Sequence, residues 1–176
     1  MKATGIVRRI DDLGRVVIPK EIRRTLRLRD GEPLEIFTSS AGEVIFKKYS
    51  PIGEIGELTG CYIQTLHRMT GLLCAICDKD HITASAGLPR KELEGRRICP
   101  QIEQILAERQ NRIELTEPIP AIEETEYRAF CVFPILENSD ITGALLILDN
   151  GSKAAPSESE LRLAQLCVNL LVEQLN

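Results

Sequence analysis

The spacing of apolar and polar positions changes along this chain, and each change marks an element. Residues 3–10 and 15–18 read as two short strands around the turn Asp11-Asp12-Leu13-Gly14, where glycine supplies a positive φ. Pro19 suits a first helical position, because its missing N–H costs little there. Residues 20–27 predict a short helix with Ile22 and Leu26 on one face and Arg23, Arg24 and Arg27 off it. Residues 34–38 and 44–49 alternate around Ser39-Ser40-Ala41-Gly42, which predicts a hairpin.

Ser50-Pro51-Ile52-Gly53 interrupts the pattern and is read as a boundary. The expected organisation is a head over residues 1–50, a linker and helix start over 51–56, and a body over 57–176. In the body, Ile55, Leu58, Tyr62, Leu66 and Met69 mark an amphipathic helix over residues 54–70. Residues 72–77 and 82–86 predict buried strands, and residues 91–109 a helix disturbed near Pro100. Residues 127–136 and 141–149 form a second predicted hairpin. Ser157 and Glu160 have the spacing of a capping box that opens a last helix. That helix is apolar nearly all round, with Val168 and Leu175 expected on its outward face. A partner subunit is its simplest cover, together with the 54–70 helix in an inter-subunit bundle.

A head of four short strands and one helical turn has too little apolar material for a core of its own. It is expected to complete that core with a second copy, as a dimer. Pairing of the bodies would then tie two head dimers into a tetramer with a head dimer at each of two ends.

Charge changes the picture. Residues 1–50 carry eleven Lys and Arg against seven Asp and Glu, a net +4 on a chain of net −4, which leaves −8 for the body. A basic head on an acidic body points to a polyanion, with nucleic acid the leading partner. Most of the cations are arginine, whose planar fork matches phosphate and guanine edges. The head contains no Trp and its first aromatic is Phe37, so it lacks the platforms that stack single-stranded bases. Double-stranded DNA is therefore the expected ligand.

The body offers little chemistry. Cys74-Ala-Ile-Cys77 is the one C-x-x-C, and it lies in a predicted strand where the two thiols face opposite sides. With no second pair or histidine at useful spacing, neither a metal nor a cofactor is expected, and the cysteines are read as buried structural thiols. His67 and His81 are read as isolated, with surface or hydrogen-bonding roles. No nucleophile–base set or phosphate loop is visible, so an enzyme is not expected. No apolar run is long enough to span a membrane, and no signal peptide is visible, so the expected location is cytoplasmic and nucleoid-associated.

The segment GIVRRIDDLGRVVIPKEIRRTLRL, followed by DGEPLEIF and VIFKKY, resembles the AbrB family of transition-state regulators over nearly all of residues 1–50. The body resembles a GAF domain in its element order. The combination resembles sporulation transcription factors of endospore-forming bacteria. The resemblance implies an α+β protein, with a swapped-hairpin barrel built by two heads and a GAF-like α/β domain behind it. It also implies DNA contact by Arg8, Arg15, Arg23 and Arg24, to which charge adds Arg9, Lys2 and Arg27. A regulator of this type acts as activator and repressor, and its body would serve oligomerisation and sensing of a small-molecule effector still to be identified. The alternative is an antitoxin-type operon autorepressor, because swapped-hairpin heads also serve toxin–antitoxin operons. Antitoxins usually carry a short disordered acidic tail, whereas residues 51–176 read as a folded body.

Overall fold

A computed structural model describes residues 4–149, 151 and 154–175. The chain divides into two compact units, Met1–Tyr49 and Ser50–Asn176.

In the first unit the turn closes as a three-residue loop. Asp11 N–H donates to Arg15 O at 3.0 Å and Gly14 N–H to Asp11 O at 2.9 Å. Gly14 sits at φ +74°, the left-handed position such a loop requires. The expected strands on either side do not form: residues 4–10 and 15–18 pair with no other strand. The reason is a missing neighbour. The unit's hairpin, β1 (Leu34–Thr38) and β2 (Val44–Lys48), pairs only within itself.

Helix α1 spans Lys20–Thr25, with Pro19 as its cap rather than its first helical residue. It stops before Arg27, which adopts φ +51°. Leu28 N–H donates to Arg23 O at 2.7 Å and Arg27 N–H to Arg24 O at 3.2 Å, the paired bonds of a Schellman ending.

Burial is the head's distinctive property: no residue of 4–49 is buried. Val7 is 85% exposed, Leu13 73%, and Ile10 and Val17 70% each. Burying a side chain of this size is worth about 1.5–3 kcal/mol, whereas ordering each backbone residue costs roughly 1–2 kcal/mol. A head that buries none of them has little to offset that cost.

The second unit is a three-layer sandwich around an antiparallel sheet. Its strands are β3 (Leu73–Cys77), β4 (Ile82–Ala86), β5 (Arg112–Ile113), β6 (Ile119–Pro120), β7 (Arg128–Glu137) and β8 (Asp140–Asp149). The order is β4-β3-β8-β7-β5, with β6 also paired to β7. Helices α2 (Pro51–Glu54), α3 (Gly56–Thr70) and α6 (Glu158–Leu175) bring Ile52, Ile63, Ala164, Cys167 and Leu171 against one face. On the other face α4 (Arg90–Leu93) and α5 (Pro100–Glu108) bring Leu93, Ile102 and Leu106.

Alternation assigns β3 to both layers: Cys74 and Ile76 join the first, Leu73, Ala75 and Cys77 the second. A bulge in β7 sets Phe130 beside Cys131, so both enter the first layer.

The boundary tetrapeptide starts helix α2, and Ser50 Oγ caps it by accepting Gly53 N–H at 3.2 Å. Other expectations need correction. The helix expected over residues 91–109 is two helices. Gly95 at φ +87° leaves the first, and Pro100 opens the second. Between them His81 bridges to Arg97 and Ile98 to Ile122.

The β7–β8 turn uses Asn138 and Ser139, both at positive φ. Ser157 caps α6: its Oγ accepts Glu160 N–H at 3.4 Å, and its N–H donates to Glu160 Oε2 at 2.7 Å. Val168 does not face outward, being 3% exposed. The outward apolar residues of α6 are Leu166 (53%) and Leu170 (44%).

Two outcomes follow. A Cβ at Gly143 would lie 2.0 Å from the Cys77 carbonyl oxygen across the β3–β8 pair. Gly143→Ala should therefore destabilise the body by about 3 kcal/mol, seen as a lower Tm, because backbone must move. The isolated segment 1–53 should sediment as a dimer, with an unfolding midpoint that rises with concentration. A folded, concentration-independent monomer would refute the need for a second copy.

Candidate nucleic-acid interface

The candidate residues lie on three local structures of the head: the segment before the turn, the turn itself, and α1 with its ending. Arg8 and Arg9 precede the turn, are exposed, and make no side-chain bond among the described residues. Lys2 lies outside the described residues.

Arg15 leaves the turn with 70% of its side chain exposed, and its Nε donates to Asp11 Oδ2 at 2.8 Å. The same carboxylate shapes the turn. Asp11 Oδ1 accepts Leu13 N–H at 3.0 Å and Arg15 N–H at 2.8 Å. Hydrogen bonds from the Arg15 backbone N–H and then its side chain hold the Asp11 carboxyl below the usual carboxylate range.

Arg23 projects from α1 and gives Nη1 to Asp30 Oδ1. Arg24, the next residue, is exposed and makes no side-chain bond among the described residues. Arg27 sits in the Schellman ending, and its carbonyl accepts Lys48 Nζ at 3.0 Å. Lys48 also approaches Glu32 at 3.4 Å, and Lys47 lies 4.7 Å from the centre of the Phe37 ring. Sequence reasoning used Asp11 as a turn residue and otherwise counted Asp11 and Asp30 as negative charge. The structure makes each a direct partner of a candidate arginine, and the Asp11–Arg15 spacing around the turn was the available signal.

The body holds three other features. An apolar groove of about 320 Å³ runs between α3 and α6, lined by Cys61, Tyr62, Met69, Leu163, Leu166 and Leu170. A hollow of about 350 Å³ lies between Glu92, Arg96, Glu124, Glu126 and Tyr127, where Arg96 reaches Glu124 at 3.6 Å. Asp78, Asp80 and His81 bring one ligand-type atom each within 4.8 Å of one another. Asp78 Oδ1 already accepts the Asp80 and His81 N–H groups, both at 2.7 Å, so it organises the β3–β4 turn.

His81 is therefore not isolated. His67 Nδ1 lies 2.7 Å from Leu72 O, a bond that ties the end of α3 to the chain entering β3.

The thiols divide by burial. Burial pushes Cys77 and Cys131 up to about 12 and Cys167 up to about 11, so these stay protonated at neutral pH. Cys61 is exposed, unlike the buried thiol expected of it.

Residues 54–176 match the family described as stage V sporulation protein T C-terminal, transcription factor. Residues 7–53 match the family described as antidote-toxin recognition MazE, bacterial antitoxin. The chain is 46% identical over 151 residues to stage V sporulation protein T of Bacillus subtilis, covering 84% of each chain. It is 55% identical over 51 residues to the transition state regulatory protein AbrB of the same organism, covering 29% of this chain and 52% of that one.

The fold is similar to the GAF domain of an Acinetobacter phosphoenolpyruvate-protein phosphotransferase. The TM-score is 0.57 and the identity 12%, covering 69% of this chain and 81% of that one. With an AbrB-like head ahead of a GAF-like body, the chain belongs to the stage V sporulation protein T family of transcription factors.

Proposed function

We propose that this protein regulates sporulation genes by binding double-stranded DNA through its head, as both activator and repressor. The observation that carries this reading is an arginine set on a head of net +4: Arg8, Arg9, Arg15, Arg24 and Arg27 are exposed, and Arg23 is half-buried beside Asp30. Guanidinium groups attract the duplex backbone and can read guanine edges in the major groove. The identity to a transition state regulator over the head supports the same ligand. Lys2 belongs to the same charge set. The role implies a cytoplasmic, nucleoid-associated location, and among the described residues no helix is long and apolar enough to cross a membrane.

The head works as a dimer in this reading, since exposed apolar side chains on both its arms and its hairpin need cover. The body joins two dimers into a tetramer. Leu166 and Leu170 of α6, with Met69 of α3 at 70% exposure, form an apolar stripe suited to a second copy of itself. The body also receives an effector that biases this assembly. Such control requires the effector to bind two arrangements with different affinity.

The antitoxin reading draws on the MazE match over residues 7–53. The folded unit that follows, with its two-sided core, stands where an antitoxin carries a disordered tail.

Two measurements test the proposal. Replacing Arg8, Arg15, Arg23 and Arg24 together by Ala should strongly weaken duplex binding while the oligomeric state stays that of wild type. The slope of log affinity against log salt should fall by about 0.9 for each phosphate no longer neutralised. Full affinity in the folded quadruple variant would refute this surface. Separately, Leu166→Glu with Leu170→Glu should reduce a tetramer to dimers by light scattering. DNA affinity should then fall by roughly tenfold or more as bivalency disappears. A variant that stays tetrameric, or a wild type that never exceeds a dimer, would exclude the α3–α6 groove as the second interface.

A further inference from the structure

Two candidate arginines are held by carboxylates in different ways. Asp30 takes Arg23 at Nη1, an atom of the terminal fork. Asp11 takes Arg15 at Nε, on the side of the guanidinium. The Arg15 bond leaves Nη1 and Nη2 without a partner among the described residues. Those two nitrogens form the end-on edge that pairs bidentately with a phosphate or with guanine O6 and N7.

The Asp11 carboxylate is itself fixed. Its other oxygen accepts two backbone N–H groups, from Leu13 and Arg15, at 3.0 and 2.8 Å. The carboxylate is therefore part of the turn rather than a mobile surface group. Through it the turn sets the direction of a side chain that is otherwise 70% exposed.

We propose that Asp11 is a positioning residue for DNA recognition: it holds Arg15 by Nε so that the Nη1/Nη2 edge faces the duplex before binding. This rests on the reading that Arg15 contacts DNA. A long side chain normally loses much rotamer freedom when it binds, and a side chain already held loses less. Asp11 therefore strengthens binding although its charge repels the phosphate backbone.

The sign of that effect separates the proposal from simple electrostatics. Removing a carboxylate from a DNA-facing surface should tighten binding if charge alone matters. Asp12 is the matched control. It is adjacent, exposed, and makes no hydrogen bond or ion pair among the described residues. Asp11→Asn and Asp12→Asn change net charge equally. Asn at position 11 keeps a carbonyl oxygen for the Leu13 and Arg15 N–H groups, but its NH2 group meets the Arg15 Nε–H donor to donor. The turn survives and the hold on Arg15 is lost.

The experiment uses the full chain and a labelled DNA duplex of mixed sequence, with anisotropy titrations at one salt concentration and thermal unfolding of each variant. Asp11→Asn should weaken binding by roughly fivefold or more with an unchanged Tm, as expected for loss of preorganisation. Asp12→Asn should bind as tightly as wild type or tighter. The double variant Asp11→Asn with Arg15→Ala should match Arg15→Ala alone, because Asp11 acts through Arg15.

If Arg15→Ala weakens binding while Asp11→Asn binds as well as wild type or better, the positioning role is overturned and the DNA surface stands. If Arg15→Ala itself binds like wild type, the assignment of Arg15 to the DNA surface fails, and this inference with it. Should Asp11→Asn lose its thermal transition, Asp11→Ser takes its place. Its hydroxyl also accepts turn N–H groups, and the same comparison with Asp12→Asn decides the outcome.

Discussion

An extended arm needs a neighbouring strand for its N–H and C=O groups and a second layer for its apolar side chains. In the head of this protein, residues 4–10 and 15–18 find neither within their own chain. Their one mutual link is the turn at Asp11–Arg15. The same segments carry Arg8, Arg9 and Arg15. In our reading, burial of the apolar arms between two copies and presentation of the arginines to DNA are one structural event. Assembly would align two arginine sets about a two-fold axis, the symmetry that a paired DNA site offers.

The body meets its constraint differently. Its sheet is covered on both faces, by α2, α3 and α6 on one side and α4 and α5 on the other. The layer beneath α4 and α5 is packed with Leu93, Ile98, Ile102, Ile122 and Leu146. Three of its exposed large apolar side chains, Met69, Leu166 and Leu170, lie on the outer side of α3 and α6. In our reading, an acidic body that presents this apolar stripe to a second copy leaves the basic head as the DNA-facing part.

Local chemistry was legible in the sequence where one residue dictates one geometry. Asp11 to Gly14 announced the turn, Ser157 and Glu160 the helix cap, and the apolar run at Leu72 the buried strand. Tertiary context was not legible. The run around Lys91 has helical spacing, yet Gly95 and Pro100 divide it because Ile98 must bridge to Ile122. The two-residue strands β5 and β6 are too short to show a period. Val168 looked equivalent to Leu166 in a helix apolar all round, and only packing on the sheet distinguishes them. At the candidate interface the arginines were visible as charge. That the Asp11 and Asp30 carboxylates hold Arg15 and Arg23 was not visible.

The central claim is that the head's core lies between copies, and inter-copy distances measure it directly. Methyl-labelled chains mixed with differently labelled chains would allow NOEs between copies to be separated from those within one. The account predicts inter-copy NOEs from Val7, Ile10 or Val17 of one chain to apolar residues of its partner's head. It also predicts that these appear in the full-length protein without DNA. NOEs from these methyl groups found only within single chains would contradict it.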